Sequence, residues 1–201
     1  MSWSPSHVDG LTEILNIGIG KAAAVLYEMV GQEILFSVPA VEFVNSGDLE
    51  RMLEVELSDK AVGIRQSFSG DFNGTAILFF LEKSSVQLVN ILLGDELSGE
   101  QAQELEAEAM SELGNILLNG CLGAVANTLG RSLEIHLPEF VKGDPNRMLP
   151  SDEEPDTSIV VRVRLSSEPS GIGGLIVLCM NDREQERLHV LLDEFLAAAC
   201  A

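Results

Sequence analysis

Asp9, Glu13 and Asn16 stand at positions i, i+4 and i+7. On a helix that spacing lines them along one face within about two turns, near enough to act together. Glu108, Glu112 and Asn115 repeat the arrangement, and a proline, Pro39 or Pro138, follows each asparagine at the same interval. Residue type limits what such a group can do. An ionised carboxylate only accepts hydrogen bonds, whereas a carboxamide accepts and donates yet is no base at neutral pH. A lone Glu-x-x-Asn is ordinarily a solvent-facing pair, its asparagine costing about 0.5 kcal/mol relative to alanine in a helix. Two copies with matched prolines outweigh that reading. Each proline also has a use as a strand-edge residue that blocks pairing, and the two uses are compatible.

The copies belong to a longer recurrence. Shifted by 99 positions without a gap, Glu13 falls on Glu112, Asn16 on Asn115, Gly31 on Gly130, Pro39 on Pro138, Arg65 on Arg164 and Gly74 on Gly173. Each half should therefore contain the same elements in the same order. Leu11, Ile14, Leu15, Gly18, Ala22, Val25, Leu26 and Met29 recur at helical spacing and predict a long amphipathic helix ending at Gly31. Residues 101–129 predict its counterpart, with Glu104, Glu106 and Glu108 favourably placed for the helix dipole. Asn119-Gly120 would suit a hairpin turn, but apolar periodicity continues through Leu122 and Val125.

Residues 34–44 and 133–141 are β-prone and interrupted by their prolines, which predicts an edge or a strand end. Residues 62–68 with 75–81, and 159–165 with 175–180, flank turn-forming segments and predict hairpins. Shorter helices are expected at 84–93, capped by Ser84 or Ser85, and at 182–198, capped by Asp182. The acidic stretch 151–156 corresponds to the region 50–56 and reads as a solvated loop. The expected fold class is α+β: two α-β-β-β-α units, about 7–98 and 106–198, form one pseudo-twofold domain over residues 1–201, with an antiparallel sheet and two long motif-bearing helices. A single unit would be small and leave an open sheet edge, which favours a shared core.

Composition narrows the function. The chain of 201 residues is 46% hydrophobic, enough for a real core, and its formal charge of −20 repels nucleic acid and anionic membranes at long range. No apolar run reaches the roughly 18 to 20 residues of a membrane span, and residues 1–7 lack the basic and apolar regions of a secretory signal. A cytoplasmic protein with no membrane insertion is the expectation. Cys121, Cys179 and Cys200 form no CxxC pair and read as buried thiols. His7, His136 and His189 lack ligand spacing, so no metal and no cofactor held by this chain are expected. Gly18, Gly20 and Lys21 superficially suggest a phosphate loop but lie inside helical periodicity, where packing through small residues accounts for them better.

At the motif residues the chain resembles the CheC, CheX and FliY family of chemotaxis phosphatases, whose pattern is Asp or Ser, three residues, Glu, two residues, Asn, then Pro after 22 more. Asp9, Glu13, Asn16 and Pro39 match throughout; Glu112, Asn115 and Pro138 match in the second copy, where Glu108 replaces the usual Asp or Ser. Length, duplication and element order are most similar to CheC. The resemblance implies a phosphatase acting on the aspartyl phosphate of a CheY-like response regulator. Asn16 and Asn115 would orient the attacking water, Glu13 and Glu112 would pair with the regulator's lysine, and Asp9, Pro39, Glu108 and Pro138 would be auxiliary. Magnesium would arrive on the regulator. CheD deamidase is a further partner that the resemblance implies. Two rivals stand beside it: a non-catalytic adaptor for the phospho-regulator or CheD, and a purely structural duplicated domain.

Overall fold

In the computed structural model, residues 3–31, 35–58, 60–93, 99–150, 157–166 and 171–199 are described. Helix α1 (Pro5–Val30) starts at a Ser-Pro step. The Ser4 hydroxyl accepts the His7 backbone N–H, the His7 ring accepts the Ser4 N–H, and Pro5 supplies a fixed helical φ. It ends at Gly31, whose φ of 72° is left-handed. Helix α4 (Gly99–Thr128) is its counterpart and passes through Asn119-Gly120 unbroken. The two helices pack along each other where each has a glycine. A Cβ on Gly18 would stand 2.4 Å from the Gly120 carbonyl oxygen, so small residues at positions 18 and 120 are what permit the crossing. Gly20, by contrast, faces open space.

Behind this pair lies an antiparallel sheet of β1 (Leu35–Asn45), β2 (Ala61–Gly70), β3 (Gly74–Leu81), β4 (Leu133–Ile135), β5 (Glu139–Gly143), β6 (Thr157–Ser166) and β7 (Ile172–Cys179). Its order is β1-β6-β7-β3-β2-β4, with β5 also paired to β2. The shift of 99 residues matches β1 with the β4/β5 pair, β6 with β2 and β7 with β3, and under that match the order reads the same from both ends. The expected hairpins β2–β3 and β6–β7 form. Both prolines fall at the sheet's ends: Pro39 sits in β1 where the β1–β6 register shifts between Ser37 and Ala40, and Pro138 falls between β4 and β5.

Alternation along the central strands fills two cores. Ala76, Leu78 and Phe80 face the layer of α1, α4, α3 (Glu82–Leu93) and α5 (Asp182–Ala199), while Ile77 and Phe79 face the opposite side. That opposite side is covered by α2 (Ser46–Leu57), an element absent from the expected α-β-β-β-α unit. Residues 50–56, given no element of their own in the expected unit, are helical because Leu49, Leu53 and Leu57 recur at helical spacing and are buried. Charge density on the remaining positions hid that stripe. Its counterpart region holds a 3-10 turn, Pro145–Met148, and residues 151–156 fall outside the described set.

Two cap assignments also change. Ser84 and Ser85 lie buried inside α3, and Asn181 rather than Asp182 caps α5 by accepting the Glu184 N–H at 3.1 Å. Among the described residues no helix is long and apolar enough to cross a membrane. Cys121 and Cys179 are buried, and burial pushes the Cys121 thiol up to about 12; Cys200 lies outside the described residues.

Candidate functional site

The two motif faces come to opposite ends of the sheet. On α1, Asp9 and Glu13 are exposed and Asn16 is half-buried one turn further on. The Asn16 carboxamide turns toward β1. Its Oδ1 accepts the Val38 N–H at 3.0 Å, and its Nδ2 donates to the carbonyls of Thr12 at 3.0 Å and Val38 at 3.4 Å. The β1–β6 register skips Val38 and Pro39, so the proline-disturbed edge leaves backbone groups that the asparagine takes up.

On α4, Glu108 and Glu112 are exposed and Asn115 is half-buried, in the same order on the same kind of face. Its surroundings differ. Asn115 Oδ1 accepts from Asn119 Nδ2 at 2.8 Å and from Gln66 Nε2 at 3.3 Å. Gln66 also donates to the His136 carbonyl at 2.7 Å, fastening the segment just before Pro138. Helix α4 comes this close to β2 because residue 114 is glycine: a Cβ there would sit 2.4 Å from the Ile64 side chain. Pro138 is half-buried, and the neighbouring Leu137 is 91% exposed, whereas Val38, its match in the first half, is 4% exposed.

None of Asp9, Glu13, Glu108 and Glu112 pairs with a basic side chain among the described residues. Each face therefore offers negative charge to an incoming partner, one helical turn from a carboxamide already held by the protein. Behind the second face, Lys142 of β5 bonds Glu82 of α3 at 2.9 Å and the buried Glu106 of α4 at 3.0 Å, which ties the strand after Pro138 to two helices. The Lys142 hydrogen bond holds the Glu82 carboxyl below its ordinary value. Glu106, expected in an acidic first turn favourable for the helix dipole, lies past the first turn of α4 and accepts from Ser85 and Lys142.

Sequence spacing missed one further cluster. His7, His189 and Asp193 converge beside Trp3, with His7 Nε2 2.9 Å from Asp193 Oδ1 and His189 Nδ1 3.2 Å from Asp193 Oδ2. These are metal-ligand types within reach of one another. However, the Ser4 N–H points at His7 Nδ1 from 3.0 Å, which fixes that nitrogen as the acceptor and puts the neutral ring's proton on Nε2. A metal on Nε2 would need the opposite tautomer, so the cluster is built as a hydrogen-bonded clamp between the start of α1 and α5. The Asp193 carboxyl is lowered accordingly, chiefly by the His7 bond.

Gln66 and Asn119 escaped sequence reasoning as well, although each left a signal. Gln66 is a polar residue in the inward register of Val62, Ile64 and Phe68, and Asn119 lies one turn beyond Asn115.

No protein-family model matches the chain. A curated protein of Halobacterium salinarum, named "Putative CheY-P phosphatase CheC1", is 23% identical over 133 residues, 66% of this chain and 67% of its own length. The crystal structure of Thermotoga maritima FliY shares the fold at a TM-score of 0.79 with 19% identity, covering 97% of this chain and 100% of that one. The FliM middle domain of H. pylori follows at 0.63 with 14% identity, covering 94% and 99%. CheX in its complex with CheY, BeF3 and magnesium from Borrelia burgdorferi reaches 0.52 with 16% identity, covering 85% and 99%.

Proposed function

We propose that the chain, similar to a curated protein named "Putative CheY-P phosphatase CheC1" and sharing the fold of FliY and CheX, hydrolyses the aspartyl phosphate of a CheY-like response regulator. The observation that carries this reading is the geometry of the two faces: on each long helix an exposed glutamate, unpaired among the described residues, stands one turn from a half-buried asparagine. The CheX structure holds CheY, which supports a partner of that kind here. We read residues 1–201 as one domain of two repeats, a reading supported by a strand order that maps onto its own reverse.

An aspartyl phosphate is already activated, so hydrolysis needs a placed water more than a base. In the proposed complex α1 or α4 lies across the regulator's active site. Glu13 or Glu112 pairs with the regulator's lysine and fixes register, and Asn16 or Asn115 positions the water in line with the phosphorus. Asp9 and Glu108 add negative charge one turn away, and Pro39 and Pro138 keep each strand end from pairing over the face. Magnesium belongs to the regulator, where it neutralises the phosphoryl oxygens.

A second reading, an adaptor that holds the phospho-regulator or CheD without hydrolysis, is favoured at the first face by one observation. Both ends of the Asn16 carboxamide are engaged by backbone groups. Decay of radiolabelled phosphate on a magnesium-loaded regulator separates the two. Acceleration of about 10 to 100-fold, equivalent to about 1.4 to 2.7 kcal/mol of barrier, supports the phosphatase. Unchanged decay with retained binding supports the adaptor.

A further inference from the structure

The two asparagines are held by different means, and the difference is written in residues outside the motif. The match of 99 residues puts Gly20 opposite Asn119, Leu165 opposite Gln66 and Leu15 opposite Gly114. The first half has none of the three features that surround Asn115 and holds Asn16 by the Val38 backbone instead.

At the second face the direction of every hydrogen bond can be worked out. The His136 carbonyl can only accept, so the Gln66 end that lies 2.7 Å from it is the NH2 group. The other proton of that group points to Asn119 Oδ1 and Asn115 Oδ1, each at 3.3 Å. With its oxygen turned to Gln66, Asn119 directs its own NH2 to Asn115 Oδ1 at 2.8 Å. Asn115 Oδ1 is thus filled from inside the protein, and Nδ2 is the end turned away from the network. The arrangement leaves Gln66 Oε1 buried without a partner among the described residues.

We propose that Gln66 and Asn119 are positioning residues that hold the Asn115 carboxamide with Nδ2 presented to the phosphoryl group and its water, and that Gly114 lets α4 approach β2 closely enough for them to do so. This rests on the phosphatase reading. It goes beyond that reading by giving the second face machinery that the motif does not contain, and by predicting that the two faces respond differently to substitution.

The test isolates the second face in an Asn16→Ala parent and measures kcat and KM for regulator dephosphorylation. Asn119→Asp keeps the size and the acceptor for Gln66 but replaces the donor to Asn115 with a second acceptor. Its kcat is expected to fall about tenfold, while KM and affinity for the beryllofluoride-activated regulator stay within about twofold. Gln66→Leu, which removes the anchor without adding charge, should show the same split. A kcat within twofold of the parent in both variants overturns the proposal, as does a parallel loss of kcat, affinity and melting temperature.

Solvent exchange of side-chain amide protons, followed by nuclear magnetic resonance, gives a readout independent of hydrolysis. Slow exchange at Asn119 Nδ2 beside fast exchange at Asn115 Nδ2 is expected. Equally fast exchange at both refutes the network. Slow and fast exchange as expected, in a parent that binds the regulator but does not hydrolyse its phosphate, refutes the phosphatase reading instead.

Discussion

Adding one methyl group to α1 should have opposite effects at two glycines only two residues apart. At Gly18 a Cβ would meet the Gly120 carbonyl oxygen at 2.4 Å and the Ala124 Cβ at 2.9 Å. Neither atom can be moved by a rotamer change, so α1 must shift against α4. Overpacking of this kind costs about 1–3 kcal/mol, and alanine recovers about 1 kcal/mol of helix propensity. Gly18→Ala should therefore lose up to about 2 kcal/mol net. At Gly20 nothing lies within 4 Å of the added atom, leaving only the gain of about 1 kcal/mol. In urea denaturation, with a slope of about 2 kcal/mol per molar, the midpoint should fall by up to about 1 M for Gly18→Ala and rise by about 0.5 M for Gly20→Ala. Midpoints moving the same way in both variants would refute the claim that the Gly18–Gly120 approach sets the helix crossing.

Two further outcomes come from the titratable groups. Because the Lys142 bond lowers the Glu82 carboxyl from its ordinary 4.5, the stability it contributes is complete above that value and is lost as pH falls through the lower folded value. The gap in denaturation midpoint between wild type and Glu82→Gln should be open at pH 7 and close in acid; a gap that is constant down to pH 3 contradicts the pairing. Burial that pushes the Cys121 thiol to about 12 should leave it unreactive to iodoacetamide at pH 8 until the chain unfolds, as read by peptide mass mapping. Equal labelling in native and denatured protein would show the thiol to be accessible.

Much of the fold was legible because helical periodicity and the recurrence of residues 99 positions apart agreed. The stripe ending at Gly31 marked α1, the recurrence carried that reading to α4, and the prolines pointed to strands that lie at the two ends of the sheet. Helix α2 was missed because its three buried leucines stand among charged residues that hide their helical spacing. At the site, the spacing of Glu13 with Asn16 and Glu112 with Asn115 placed each pair on one face. It could not reveal what each asparagine touches. Gln66 lies 49 positions before Asn115 and Val38 lies 22 after Asn16, so those partners exist only once the strands have packed on the helices. The His7–Asp193 clamp spans 186 positions and was hidden for the same reason.

The central claim is that the paired carboxamides remove the regulator's phosphate, and the most direct measurement is its decay on a magnesium-loaded regulator. Wild type should be compared with Asn16→Ala, Asn115→Ala and the double variant, each checked for binding. The account predicts acceleration by the wild type that falls to the regulator's own rate in the double variant while binding persists through Glu13 and Glu112. Full acceleration by the double variant would contradict it.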